Sequence, residues 1–571
     1  MTNSRAALEQ WFSTQEIDRI EAARKAVDAA TGTIAYCVYE NPFGKSGGIF
    51  AVAENYAQTL IALDRNVVLL SPYHTRLKSA PQSDDLALLG TCRVPFGGEL
   101  ILVELFEHIR KGVRWVLFRA DGFFEADGGM AETDPYIYST DGSRLLRDSL
   151  FASATIPRAS AALNLTENLI FHVQDWELAS VTLTAKQAIL DGSLKSAKVI
   201  LTSHNPYDQE LLLENLRLIT PRCHLGNANV KSTYQIMIPL MDAPITTVSQ
   251  TFARELTSDA LQTTYFAGHL QGVYRERGIE GVDNGLFGTP KPAYSSAAME
   301  SAQQGDVSTI LEEMRAKRTA MLSILSEYTR DVEPMIWGSL VAENGRPLKE
   351  LADDVPLFLM FGRLDPRQKG FDLLTHVIRE LPAGTAKFVL TPIVAGAAQS
   401  FVDDLKSLTA ECPGDVVVYP FRMQRGYLET MAGASFAVMP SLYEPFGGAT
   451  EPYLQGTPVV ARKTGGLVQQ VRDLKEHGEM ATGILFRETF EPEMDSWRNL
   501  LQDDSLQSRE DNPLYRALIE SLKAAILQAV NVYREEQTIY GRMLANLYEV
   551  ATSFSWERAA EEYEKIYAWN D

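Results

Sequence analysis

Three short stretches of this sequence carry side chains able to hold a phosphorylated, hydroxyl-rich ligand. The first is FGRLDPRQKGFDLL, residues 361–374, where Arg363, Arg367 and Lys369 follow the apolar run Pro356–Phe361. An arginine fork can take two diphosphate oxygens while a lysine adds a compact charge beside it. The loop therefore reads as a cradle for the diphosphate of a nucleotide sugar; the alternative is a surface loop with solvated charges. The second stretch, VMPSLYEPFGGATEPYLQGTPVVARKTGGL (438–467), delivers Ser441, Glu444, Gly447, Gly448 and Glu451, then Thr464, Gly465 and Gly466. Carboxylates beside glycine-rich helix starts suit ribose or sugar hydroxyls, because one carboxylate accepts two hydroxyl donors. Helix capping by surface carboxylates is the other reading. The third stretch is NPFGKSGGIF (41–50). Gly44, Gly47 and Gly48 let backbone approach a ligand, the N–H groups of the following helix can receive an anion, and Lys45 adds a point charge. A tight turn with a solvated lysine fits equally well, and the pattern is neither GxGxxG nor a P-loop.

These loops need strands to carry them. Short apolar runs ending in loops recur at 33–40, 66–73, 114–120, 168–176, 197–205 and 243–252, separated by helical patterns such as Asn55–Leu63 and Leu145–Leu163. Strands alternating with helices imply βαβ units and a parallel sheet. The alternation halts over 287–330, a small, polar stretch followed by a long helical pattern, which reads as a hinge region. A second series follows at 355–364, 386–396, 415–421, 434–441 and 457–466. The expected architecture is α/β, with two doubly wound, Rossmann-like domains facing each other across a cleft and ligands at the carboxyl ends of the strands. Residues 487–513 are acidic and polar and read as a surface insertion.

Bulk properties narrow the function. A chain of 571 residues exceeds one core, since single cores stop growing near ~250–300 residues. With 53 basic against 74 acidic side chains, net charge −21, a nucleic-acid partner is excluded, because binding one needs Lys/Arg surfaces. Cys37, Cys92, Cys223 and Cys412 form no CxxC pair, which fits buried thiols in a reducing compartment. No stretch approaches the ~18 apolar residues of a membrane span, so a cytoplasmic protein with no membrane partner is expected.

Taken in order, KSGGI (45–49), GRLDPRQKG (362–370), PSLYEPFG (440–447) and ARKTGGL (461–467) resemble the signature stretches of bacterial glycogen synthases and starch synthases. TSHN (202–205), TTVSQTFARE (246–255), VDNG (282–285) and SFSWERAAEEYEKIY (553–567) extend the resemblance over nearly the whole chain, with 487–513 outside it. The resemblance implies a retaining glycosyltransferase of the GT-B fold. Its first domain would span 1–325 and its nucleotide-sugar-binding domain 326–544, with the terminal helix, 545–571, packing back on the first. It also implies roles. Lys45 and the Gly47–Gly48 backbone would contact donor phosphates or the acceptor side. Arg363 and Lys369 would neutralise the diphosphate leaving group. Glu444 would hold the transferred glucose, supported by the Gly447 and Gly448 amides. Asn284 would be the active-site asparagine, and Thr464, Gly465 and Gly466 would line the nucleotide side. No cofactor or metal is called for, because two cations carry the leaving-group charge.

Three departures from the family's pattern matter, the first two for the acceptor and the third for the donor's ribose. HVQDW (172–176) has Gln174 where the family has histidine, an amide that can donate to a sugar hydroxyl but cannot change protonation; His172 reads as a packed strand residue. GGIFAV puts Ala51 where the family has aspartate, closer to animal and fungal glycogen synthases. The segment after Glu444 is one residue shorter, which sets Glu451 at a ribose-binding place. The leading expectation is transfer of α-glucose from ADP-glucose or UDP-glucose to an α-1,4-glucan. The alternatives are a glucosyltransferase with a small acceptor, such as a sugar phosphate or polyol, and a non-catalytic glucan-binding relative.

Overall fold

The computed structural model describes residues 4–569 apart from 83–84, 130–131, 140–141, 221–230, 333–334, 341–353, 395, 424, 491–492, 494 and 503–505. Cys223 lies outside the described residues. The chain divides into two compact units, Met1–Gly288 with Ser555–Asp571, and Thr289–Phe554.

The first unit is built on a nine-stranded sheet. Its strands are β1 (Thr33–Cys37), β2 (Val67–Pro72), β3 (Ala87–Phe96), β4 (Glu99–Arg110), β5 (Val113–Arg119), β6 (Leu169–Gln174) and β7 (Ala197–Ser203). The small pair β8 (Glu210–Leu211) and β9 (Lys231–Ser232) stands apart, and β10 (Ile245–Thr247) and β11 (Ile279–Gly281) complete the sheet. The order is β11-β10-β7-β6-β1-β2-β5-β4-β3. Ile34 lies opposite Ile170 and Val67, so β1 is parallel to both its neighbours. Helices on both faces bury β6 and β7 completely, which is why their sequences run apolar without alternation. The antiparallel strands β3 and β4, which pair outside β5 at one edge, were not expected from sequence. Both are half exposed, Leu100 and Leu102 included, and Glu104 and Glu107 interrupt the apolar residues of β4.

The second unit carries β12 (Trp337–Gly338), β13 (Leu357–Arg363), β14 (Lys387–Ile393), β15 (Val416–Val418), β16 (Phe436–Met439), β17 (Val459–Arg462) and β18 (Gly483–Phe486). They are ordered β12-β15-β14-β13-β16-β17-β18. Without the short antiparallel β12 this is the Rossmann order, whose direction reverses between β13 and β16; ligands bind where such reversals splay the loops apart. In the first sheet the corresponding reversal falls between β1 and β6. Both positions carry the loops singled out by sequence.

Three boundaries differ from the sequence reading. The long helix Ser308–Val332 belongs to the second unit rather than to a hinge. Met321, Leu322 and Leu325 pack with Leu357, Leu359 and Val417, and buried Arg318 donates to Ser435 Oγ, Tyr533 Oη and Gly433 O. The helix Gln537–Thr552 also stays with the second unit, where Asn546 Nδ2 donates to Glu479 O. Only the helix Trp556–Tyr567 returns to the first unit. There Trp556 Nε1 donates to Leu286 O at 2.6 Å, and Tyr567 Oη lies 3.0 Å from Tyr56 Oη and 2.9 Å from His172 Nδ1. Finally, the described part of 487–513 is not a surface excursion. Trp497, Leu500 and Leu501, at helical spacing, are fully buried, and so is Arg509.

Cys37 is buried, whereas Cys92 and Cys412 are half-buried; all three are free thiols. Among the described residues no helix is long and apolar enough to cross a membrane.

Candidate active site

In the second unit, β13 ends on Arg363 and opens into 364–370. Lys369 N donates to Asp365 O at 2.8 Å, which curls the loop back and turns the lysine over its start. Lys369 Nζ forms a 2.6 Å ion pair with Glu444 Oε2. Exposed Arg363 is steadied by Gln368, whose Oε1 accepts from its Nη2 at 2.8 Å. Gln368 is buried, and its carbonyl accepts from Leu442 N at 2.7 Å, tying this loop to the one after β16. Glu451, in the first turn of Thr450–Gln455, stands at the solvent edge of a recess. Crowding by protein pushes its carboxyl above the ordinary range, Lys369 opposing and Glu444 adding to the shift. Arg363, Lys369, Glu444 and Glu451 thus converge at the reversal between β13 and β16.

The glycines after β17 have a different task from that expected. Gly466 N donates to Glu444 O at 3.0 Å, so this amide is committed to protein. A Cβ at Gly465 or Gly466 would overlap the carbonyl of Glu444 or Phe446. The glycines exist so that two backbones can touch. Buried Gln470, unnoticed in the sequence, rivets the same junction: its Oε1 accepts from Ala449 N and its Nε2 donates to Phe446 O, both at 2.9 Å. Gly447, at φ +93°, lies against Gln470 and Leu467, whereas the space next to Gly448 is open as far as Met439 at 3.8 Å. Thr464 is buried beside them.

In the first unit the glycine-rich turn after β1 is organised by a carboxylate that sequence reasoning passed over. Glu40, buried at the strand end, accepts from Gly47 N at 3.0 Å, Ser46 N at 3.3 Å and Phe50 N at 3.1 Å, and from Tyr136 Oη at 3.3 Å. The amides expected to receive an anion are therefore already taken at Ser46, Gly47 and Phe50. Burial raises the Glu40 carboxyl, and those four donors oppose the shift. The signal was present in the sequence as an acid directly before a glycine-rich turn at a strand end. Lys45, half-buried, has its backbone clamped to Thr133 and its ammonium 5.0 Å from the centre of the Phe50 ring. Gly48 is exposed at the N-terminus of Ile49–Ala62, and Ala51 lies in its first turn.

At the end of β6, Gln174 is buried, and its Oε1 accepts from His204 Nε2 at 2.9 Å, which places the imidazole proton on Nε2. Its Nε2 is buried without a partner. Burial lowers His204 to about 4, so it is neutral near pH 7. Next to Gln174, Asp175 adopts a left-handed backbone, φ +56°. It accepts from His204 N at 2.6 Å and Tyr234 Oη at 3.4 Å. Burial raises Asp175 to about 7 against those hydrogen bonds, and Glu177, buried and beside Asp175, is raised further. Asn284 is buried, its N–H on Val248 O at 3.3 Å. Because the sheet is parallel here, the 38–48 turn, Gln174, His204 and Asn284 share its carboxyl edge. His172, by contrast, is core: it bonds Tyr567 Oη and Thr202 Oγ1, and burial lowers it to about 3.

Two Rossmann-like bodies, each with its loops at the reversal of the sheet, are the architecture of the GT-B fold. Residues 33–276 match the starch synthase catalytic domain, and residues 318–532 match the family 4 glycosyltransferases in conflict systems. Within that class the chain resembles glycogen and starch synthases over almost its full length. It is 23% identical over 551 residues to a glycogen synthase of Bacillus anthracis, spanning 94% of this chain and 98% of that protein. It is 24% identical over 554 residues to a glycogen synthase of Fervidobacterium nodosum, spanning 94% and 97%. The fold matches the catalytic domain of starch synthase IV from Arabidopsis thaliana, bound to ADP and acarbose, with TM-score 0.67 and 18% identity over 94% of this chain and 99% of that one.

Proposed function

We propose that the protein moves α-glucose from a nucleotide-glucose, ADP-glucose or UDP-glucose, to the non-reducing end of an α-1,4-glucan with retention of configuration. The observation that carries this reading is the convergence of Arg363, Lys369 and Glu444 at the sheet reversal of the second unit. Breaking the anomeric C–O bond leaves positive charge on the glucosyl carbon and negative charge on the departing diphosphate. Arg363 and Lys369 are the preorganised cations that meet the second charge, and in such reactions this term is usually the largest. Glu444 accepts hydrogen bonds from glucose hydroxyls once its partner Lys369 turns to the phosphate, and Glu451 is suited to the ribose. Retention then follows a front-face path, the acceptor hydroxyl arriving on the side the diphosphate leaves, with no covalent enzyme intermediate. The glycogen synthase and starch synthase relatives support the donor and acceptor classes. The free thiols Cys37, Cys92 and Cys412 fit a cytoplasmic setting.

A small acceptor is favoured by one feature: Gln174 is buried, with its carbonyl held by His204, where the family's histidine faces substrate. Incubation with labelled ADP-glucose and UDP-glucose, with and without glycogen, separates the readings. Label in polymer that depends on added glycogen is the expected result. Label confined to a small product would replace the glucan by a small acceptor, and no transfer from either donor would overturn the assignment.

A further inference from the structure

Two buried arginines of the second unit take no part in this chemistry, yet each ends on one of its loops. Arg509, in the short helix Leu506–Glu510, donates from Nη2 to Pro366 O at 3.0 Å, midway between Arg363 and Lys369. The same nitrogen is ion-paired with Asp372 Oδ2 at 3.0 Å, both side chains being buried. Asp372 follows the loop directly, in the first turn of Phe371–Glu380, and also accepts from Tyr515 Oη at 2.9 Å. Arg462 donates from Nη1 to Leu442 O at 2.6 Å, two residues before Glu444. Its Nε and Nη2 bind the Glu488 carboxylate, and its guanidinium lies 5.3 Å from the ring centre of fully buried Trp497. Glu488, Trp497 and Arg509 all come from residues 487–513.

We propose that the described part of residues 487–513, through Glu488, Trp497 and Arg509, braces the two donor loops, with Arg509 the positioning residue for Arg363 and Lys369. The proposal rests on the nucleotide-sugar reading above. An apolar pair could attach the segment as firmly as a buried ion pair does. What it could not supply is an N–H for the Pro366 carbonyl. Proline has no N–H of its own, so at this point the loop is held through its carbonyl or not at all. The arrangement also gives one segment a hold on both loops, the cation loop through Arg509 and the Glu444 loop through Arg462.

The test is calorimetric titration of the full chain with ADP and with UDP, each alone, paired with thermal unfolding. Arg509→Lys keeps a cation on the Asp372 side, but its ammonium stops one bond short of Nη2, the atom that makes both contacts, and so loses Pro366 O. It should still unfold cooperatively and bind the nucleotide roughly tenfold more weakly. In an Arg363→Ala/Lys369→Ala background the same change should have no further effect on affinity, because Arg509 acts through those two side chains. A lowered melting temperature with unchanged affinity would overturn the proposal and leave only a structural role. Should Arg509→Lys fail to fold, hydrogen exchange on the unaltered chain decides. Nucleotide should slow exchange in 506–515 together with 363–369, and protection confined to 363–369 would overturn the brace. Failure of the unaltered chain to bind either nucleotide would overturn the donor reading itself, whereas binding that ignores Arg509→Lys would overturn the brace alone.

Discussion

Gly466→Ala is predicted to disable the enzyme without introducing a charge or removing a side chain. A methyl at this position would overlap the Phe446 carbonyl oxygen and come within 2.7 Å of Phe446 Cα. Clearing the Phe446 carbonyl oxygen, the nearest of these atoms, forces the 444–446 backbone away by more than about 1 Å, and the Gly466 N to Glu444 O bond, 3.0 Å, would open with it. On the proposed reading Glu444 then no longer faces the glucose from its present place. Misplacement on that scale lowers turnover roughly 100-fold, about 2.7 kcal/mol of lost transition-state stabilisation. Gly272→Ala is the matched control, since a Cβ there meets nothing within 4 Å and the residue sits in the helix Gln271–Arg277, away from the site. Steady-state release of nucleoside diphosphate, read as kcat and KM separately, checks both variants. Gly466→Ala within threefold of the parent kcat/KM would refute the claim that these glycines hold the two loops in contact.

Other outcomes follow from the same contacts. Burial alone would raise the Glu488 carboxyl, but Arg462 holds it below the usual range; Glu488→Gln takes the counter-charge from that buried guanidinium and should lower stability by about 3 kcal/mol in denaturant unfolding. Asp175 is about 7 in the folded chain against an ordinary 3.8, so the native state binds the extra proton. Its contribution to stability is present below about pH 4 and is lost as pH rises through about 7. Melting temperature against pH should therefore show Asp175→Asn gaining on the parent between pH 5 and 8, and parallel curves would contradict this. Tyr567→Phe strips hydroxyl partners from both His172 and Tyr56 and should destabilise by about 1–3 kcal/mol. A chain cut after Ser553 loses Trp556, Tyr563 and Tyr567 from the first unit's core; it should show no cooperative unfolding of that unit by calorimetry.

The sheet of each unit was legible because parallel strands covered on both faces are continuous apolar runs, as in β6 and β13. The exposed ribbon β3–β4 was not, since alternation with charges such as Glu104 and Glu107 weakens that signal. The candidate donor-side residues stood out for a different reason: their types and spacing suit such chemistry, and the structure brings Arg363, Lys369, Glu444 and Glu451 to one place. What sequence did not convey is which polar groups are already satisfied. Gly466 reads as lining the nucleotide side and Gly47 as a ligand-facing amide, yet the Glu444 carbonyl and the Glu40 carboxylate occupy their N–H groups. Those acceptors lie 22 and 7 residues away along the chain, and folding alone brings them into contact. The 487–513 segment was misread because its acidic residues outweighed one apolar triplet, Trp497, Leu500 and Leu501, that turns inward.

The central claim is best tested by the crystal structure of the protein with an intact nucleotide-glucose or its nucleoside diphosphate. The account predicts the pyrophosphate within hydrogen-bonding distance of the Arg363 guanidinium and Lys369 Nζ, with Lys369 drawn off Glu444. A diphosphate seated elsewhere, with the 2.6 Å Lys369–Glu444 pair undisturbed, would contradict it.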